Sequence, residues 1–336
     1  MKKISIYLAI ICCLWINRTS GQDPHFSQYF ASPLTLNPAM TGYIDGDYRV
    51  SGNFRQQWFS LGAPFVTTTL SFDTKLMQTR IRENDALAAG IMALYDESLS
   101  GGFVSVNIAA SGAYHKALDA EGVHNIGAGF QVTYAYRGLN YASLDFASQF
   151  NGSGFNTQLP SYENFSTLRK NYMDLNAGLL YDYVTENTEV YVGGAVYHLM
   201  RPNTSFLRNQ AYRLPMRFTG HAGARFRSEQ NGNELFLSGS YMQQAGASDI
   251  SAGLAYGINL KEETRVYAGC WYRYADAIAP YVGLGYKRFS VGVTYDIINS
   301  SLRKVNPRNS SFELSANITP FRPTNVYTNY KGGRIF

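Results

Sequence analysis

Residues 125–138 read NIGAGFQVTYAYRG. Ile126, Ala128, Phe130, Val132, Tyr134 and Tyr136 fall on one face of a strand. Asn125, Gly127, Gly129, Gln131, Thr133 and Arg137 fall on the other. A period of two is the mark of a strand whose faces meet different surroundings. The same pattern returns in DISAGLAYGINL, where Ile250, Ala252, Leu254, Tyr256, Ile258 and Leu260 oppose Ser251, Gly253, Gly257 and Asn259. In DYRVSGNFRQQW, Tyr48, Val50, Phe54 and Trp58 oppose Arg49, Asn53 and Arg55. A Lys or Arg facing lipid at the bilayer midplane costs ~2–4 kcal/mol. That cost assigns the apolar face to lipid and the Gly-rich polar face to a lumen.

Composition points the same way. Charged residues make up 16% of the chain, against about 25% in ordinary soluble domains. There are 26 Tyr and 31 Gly, and aromatics reach 15%. No segment after residue 21 approaches the ~18 consecutive apolar residues of a membrane helix. A soluble β-sandwich would also alternate, but its outer face would carry more charge.

About fourteen such segments recur, a count that suits a closed barrel with no edge unpaired in lipid. They start near Tyr48, Phe65, Ala86, Gly102, His124, Tyr172, Thr188, Arg213, Glu234, Asp249, Thr264, Ala277, Phe289 and Ser311. The longest connections, Gly138–Asn171, Met200–Tyr212 and Ile298–Ser310, all follow odd-numbered strands. Those after even strands are tight, as in TEN, SEQNGN and KEE. Outer-membrane barrels have short periplasmic turns and longer outside loops, so the parity fits a first strand running outward. The expected fold is all-β: a transmembrane antiparallel barrel over residues 47–320, with a tail over 321–336. Trp58, Tyr136, Tyr183, Tyr272 and Tyr274 fit an aromatic girdle.

Ahead of the barrel, Lys2 and Lys3 precede an apolar run from Ile4 to Ile16, and Thr19 and Gly21 suit cleavage before Gln22. Residues 1–21 therefore read as a signal peptide, too short in its apolar run to span a bilayer. Loss of Lys2, Lys3 and Arg18 leaves 26 Lys+Arg against 24 Asp+Glu, a net charge of +2. That balance gives no footing for nucleic acid. Only Cys270 lies beyond the signal, which excludes an internal disulfide or a cysteine metal site.

Chemistry-bearing patterns are scarce. His25, His115, His124, His198 and His221 form no HxxxH or HExxH pair. Ser205 follows His198 in sequence without a third triad member or an oxyanion hole, which suits a hydrogen bond within a loop. GAG and GLG sit on strands with no helix after them, so they are not phosphate loops. No catalytic residue, metal or cofactor is expected. Trp271 and Arg273 share a lumen-side face with Asp276 just beyond, an arrangement that suits partner binding or bracing of the wall.

Residues 22–46 are different in kind. Pro24, Pro33 and Pro38 forbid a regular helix or central strand. Phe26, Tyr29, Phe30, Leu34 and Leu36 are too apolar for a disordered leader. The segment reads as a luminal plug or a periplasmic dock.

QDPHFSQYFASPLTLNPAMTG, residues 22–42, resembles the mature N-terminus of the PorP/SprF family, outer-membrane proteins of the type IX secretion system. FRQQW (54–58), LDFASQFNGSGF (144–155), YHLMRPNTSF (197–206), LPMRFTGHAGARF, YMQQAGAS and SFELS (311–315) extend the likeness. The block CWYRYADAIAPYVGLGYKRFSVGVTYDIINSSL, from Cys270, is the most specific. The chain ends Gly333-Arg334-Ile335-Phe336, where family members often end Cys-Pro-Arg-Phe. The resemblance implies a non-enzymatic barrel supporting export or surface attachment of a secreted protein with a C-terminal sorting domain, including adhesins of gliding motility. Implied partners are that cargo, other secretion components at the outer membrane or periplasm, and the lipid bilayer. The family motifs nominate Phe26, Gln28, Tyr29, Asn37, Pro38, His198, Pro202, Trp271, Arg273 and Asp276 as partner-binding residues. A channel for a small or hydrophobic solute is the alternative; an outer-membrane enzyme is a third class, disfavoured by the missing triad.

Overall fold

The computed structural model describes residues 22–59, 63–78, 80–156, 158–162, 168–207, 212–261, 263–300 and 310–320. Residues 1–21, read as a signal peptide, and the tail 321–336 lie outside them. Fourteen strands follow in chain order: β1 (Tyr48–Gln57), β2 (Phe65–Leu76), β3 (Ala86–Ser98), β4 (Phe103–Ala117), β5 (His124–Leu139), β6 (Leu168–Val184) and β7 (Thr188–Tyr197). Then come β8 (Arg217–Arg227), β9 (Glu234–Gln244), β10 (Ala247–Lys261), β11 (Thr264–Arg273), β12 (Ala277–Tyr286), β13 (Phe289–Ile298) and β14 (Ser310–Ile318). Each pairs antiparallel with its sequence neighbours, and β1 closes the ring on β14 with Asn53 opposite Ser315 and Arg55 opposite Glu313. Closure leaves no strand edge to be satisfied by water, which the hydrocarbon layer lacks.

The side chains are sorted as the alternation predicts. Leu70, Ile91, Ile108, Phe130, Leu179 and Val282 point outward and are exposed, while Arg49, Asn53, Arg55, Asp73, Gln131, Asp174, Glu189, Asp296 and Glu313 are buried inside. Apolar outside and polar inside inverts the order of a water-soluble sandwich. It is the arrangement a lipid solvent selects.

Two strand starts differ from the sequence reading by more than two residues. β6 begins at Leu168 rather than Tyr172, because the polar stretch Leu168–Asn171 continues the ladder with β5, Arg137 facing Lys170. β8 begins at Arg217 rather than Arg213. Pro215 has no amide to donate, and Arg213 instead bridges Asn203 across the loop.

The longest connections in sequence follow β5, β7 and β13, whose last residues share one end of the barrel; the short ones follow β6, β10 and β12, whose last residues share the other. β1 begins and β14 ends at the short-turn end. The long-loop end is the outer mouth by the rule for such barrels.

Candidate functional site

The lumen is occupied by the chain's own N-terminal segment. It is built from short turns: a 3₁₀ turn at Tyr29–Ala31, one helical turn at Pro33–Leu36 and another 3₁₀ turn at Pro38–Met40. The prolines dictate this. Pro33 opens the helical turn, where a missing N–H costs nothing. Asn37, preceding Pro38, is held extended and ends that turn. The Asn37 side-chain oxygen then accepts from the Ala39 amide at 2.8 Å, which caps the next turn. From Phe26 to Ile44 every residue except Thr35 is buried.

The segment runs the length of the barrel. Asp23 lies at the long-loop end beside His198, Arg217 and the last residue of β9, Gln244, whose Oε1 accepts from the Asp23 amide at 2.8 Å. Next comes a charged clamp. The Ser27 and Gln28 amides donate to the Glu313 carboxylate at 2.6 and 2.8 Å. Arg55 contacts Asp296 at 3.2 Å and Glu313 at 2.9 Å, and it also donates to the His25 carbonyl. Arg273 contacts Asp296 at 2.8 Å and donates to the Ser27 hydroxyl. Below the clamp, Phe30 sits in an aromatic box, its ring centroid 4.7 Å from Trp271, 5.7 Å from Phe236 and 5.8 Å from Tyr281. The Trp271 indole N–H and the Tyr29 hydroxyl both reach Ser238 Oγ, at 3.0 and 2.8 Å.

Midway, the Asn37 amide donates to the Leu179 carbonyl at 2.9 Å and lies 3.0 Å from His221 Nε2. Here the barrel wall is glycine. A Cβ on Gly178 would fall 1.9 Å from Asn37 Oδ1, and one on Gly129 would fall 2.5 Å from the Pro38 carbonyl. These lumen-facing glycines are the recess that admits the segment's backbone. At the short-turn end, Tyr43 donates to Glu189 at 2.6 Å, Gly42 N donates to Asp73 at 2.8 Å, and Arg49 ties Asp73 to the Met40 and Tyr43 carbonyls.

Of the residues nominated from sequence, Phe26, Gln28, Tyr29, Asn37 and Pro38 are inside the lumen. Trp271 and Arg273 touch the segment from the wall. Asp276 lies beyond β11, more exposed, and accepts from Arg273. Pro202 lies apart in the β7–β8 loop, its carbonyl accepting from the Leu214 amide at 2.9 Å. His198 does not pair with Ser205, whose hydroxyl donates to the Leu207 carbonyl. Its ring sits between Asp23 and Asp174 instead. Among the described residues no group of three or more His, Cys, Asp or Glu is placed to hold a metal ion. Arg217 and Glu313 were not singled out from sequence, and Asp23 and Asp296 stood there only inside the family motifs, with no role attached. Alternation already puts Arg55 on the lumen side, but its acidic partners are 241 residues or more away in the chain.

A family model described as "Type IX secretion system membrane protein PorP/SprF" matches residues 18–318. The chain belongs to the PorP/SprF family. It is an outer-membrane barrel of type IX secretion, a setting that implies secretion components and cargo as its associates. No curated protein matches the sequence. Among solved structures, this PorP/SprF barrel is similar to the Ralstonia pickettii toluene transporter TbuX, with 12% identity, TM-score 0.46, and 86% of this chain and 92% of that one covered. A Pseudomonas aeruginosa FadL homologue is similar at 12% identity and TM-score 0.45, covering 84% and 92%. The CymD monoaromatic hydrocarbon channel has 11% identity and TM-score 0.47, covering 90% and 96%.

Titration at the outer mouth of this PorP/SprF barrel has a definite sign. Burial lowers the pKa of His198, but the Asp23 charge and the hydrogen bonds that the ring donates to Asp174 and Asp23 outweigh burial and leave it raised above 6.5. Burial raises that of Asp23, but His198, then Arg217 and Arg137, hold it well below 3.8. The His198 contribution is full below 6.5 and fades as pH rises through its folded value. The Asp23 contribution is full above 3.8 and fades as pH falls towards its folded value. The contact is therefore tightest between these two pH values. Melting midpoints in detergent of the parent and Asp23→Asn are expected to differ most in that window, and the difference to shrink as pH rises through the folded value of His198 to the part that Arg217 maintains. A constant difference up to pH 9 would show that His198 carries no charge in the contact.

Proposed function

We propose that this barrel supports export or surface attachment of a cognate secreted protein carrying a type IX C-terminal sorting domain. Cleavage before Gln22 starts the mature chain, and residues 22–46 act as a resident plug. The observation that supports this is the filled lumen. Aromatic, polar and charged contacts hold the segment along the whole barrel, so solute passage is not what the resting state is built for. The partner-facing surface then comprises the outer loops, among them that of His198 and Pro202, and the rim at Arg273 and Asp276. Phe26, Gln28, Tyr29, Asn37, Pro38 and Trp271 serve it from inside by fixing the plug. Periplasmic secretion components meet the short-turn end.

Deleting the gene is expected to remove one or a few sorting-domain proteins from the cell surface, an adhesin of gliding motility being one candidate class, while bulk metabolism is unchanged. Surface and culture-fluid proteomes of mutant and parent give the measurement. Unchanged exported proteins together with lost uptake of a small solute would replace this reading with a channel.

A further inference from the structure

The outermost contact of the segment has the form of a ligand in a socket. One Asp23 carboxylate oxygen lies 2.6 Å from His198 Nε2 and 3.3 Å from Arg217 Nη1. The other ring nitrogen of His198 is held by Asp174, so the imidazole is aimed. The Arg217 guanidinium stacks 4.0 Å from the Tyr197 ring centroid and donates to the Thr35 carbonyl at 3.1 Å. Four strands or their ends converge here: β6 with Asp174, β7 with Tyr197 and His198, β8 with Arg217 and β9 with Gln244. His198 adopts φ +62°, a strained conformation for a side-chain-bearing residue that orients it towards the carboxylate.

Three features separate this contact from the charged clamp below it. Its ligand comes from the segment's first residues, so with cleavage before Gln22 it is tethered on one side only. Gln22 is exposed and residues 23–25 are half-buried, whereas close burial begins at Phe26. The socket also has a spare donor, since Arg217 Nε is buried without a hydrogen-bond partner. Leu199 and Met200, 40% and 60% exposed, follow His198 and provide an apolar approach.

We propose that His198 and Arg217 form a carboxylate-binding socket in which Asp23 is the resident ligand. A carboxylate carried beside an apolar side chain on a protein arriving at the outer mouth replaces Asp23 and frees residues 22–24. The exchange rests on the plug reading for its biological meaning, yet its chemistry is testable on the purified protein without secretion.

Asp23→Ala in the full-length barrel, in detergent at pH 6, vacates the socket. Two probes are then compared with sodium chloride at matched ionic strength: N-acetyl-Leu-Asp-amide, which carries one carboxylate, and N-acetyl-Leu-Asn-amide, which carries none. The acidic probe is expected to raise the melting midpoint of Asp23→Ala saturably. The amide probe and chloride should not, and Arg217→Gln added to Asp23→Ala should abolish the effect. Asp23→Asn, which keeps the side chain's shape, is expected to behave like Asp23→Ala at lower sensitivity. Equal effects of the two probes would overturn the socket. For exchange, a spin label at Gln22→Cys in a Cys270→Ser background reports the segment's end. The acidic probe should mobilise it at concentrations several-fold above those saturating Asp23→Ala, because the tethered ligand competes. A label that stays immobile at a hundredfold excess would make the contact a fixed latch and overturn the exchange.

Discussion

Replacing Arg55 with alanine is expected to destabilise the barrel by ~3–5 kcal/mol, the usual cost of removing one partner from a buried ion pair. The Arg55 side chain is 0% exposed, and its acidic partners Asp296 and Glu313 are 1% and 2% exposed. Asp296 keeps Arg273 at 2.8 Å after the substitution. Glu313 keeps no described cation; it retains the Ser27 and Gln28 amides. Those hydrogen bonds stabilise its charge but do not neutralise it. Most of the loss should therefore return in the double variant Arg55→Ala with Glu313→Gln, which removes the orphaned charge. Urea unfolding in detergent, followed by tryptophan fluorescence, measures both. A single-variant loss under ~1 kcal/mol would mean that water reaches Glu313 readily and that the clamp is a hydrated network.

The faces of the strands were legible because lipid penalises a misplaced Lys or Arg enough to enforce the period-two pattern. Phe130 and Gln131, adjacent in sequence, meet opposite solvents. The pattern loses its grip where strands leave the membrane. Leu168–Asn171 extends β6 at the long-loop end without apolar alternation, and so the pattern alone starts the strand at Tyr172. The N-terminal segment was legible as proline-broken and apolar, hence as something in need of a wall. Its direction was not. Nothing in QDPHFSQYF states that Asp23 sits at the outer mouth while Tyr43 sits near the periplasm. That path is set by charges scattered through the chain, with Asp23 meeting a histidine 175 residues away. Gly129 and Gly178 could be assigned to the lumen face, but their reason appears only when Asn37 and Pro38 are laid against them. Trp271 and Arg273 stood between bracing and binding. They line the lumen, and what they hold there is the segment itself.

Removing residues 23–42 while keeping the cleavage site is expected to leave an inserted barrel with an open lumen and no support for export. The ring of fourteen strands closes through its own ladders, with no strand contributed by the segment. Several lumen charges also pair within the wall: Arg49 with Asp73, Arg225 with Glu189 and Glu234, and Arg273 with Asp296. Burying Phe26, Tyr29, Phe30, Leu34 and Leu36 contributes ~1.5–3 kcal/mol each. That burial is supplied by the lumen wall, so the segment depends on the wall for its order. The wall does not depend on the segment in the same way, because water can hydrate a polar lumen. Barrels of about eight strands are filled by their own side chains, and those of 16–18 hold an aqueous channel. Fourteen strands emptied of their plug should therefore conduct. In planar bilayers the truncated protein is expected to give stable ion conductance at least tenfold above the full-length chain. The same truncation should abolish surface display of the cognate protein in cells. Conductance without loss of display would separate plugging from export and leave the segment a seal. Full display with unchanged conductance would reduce it to a leader, and the plug reading would fall.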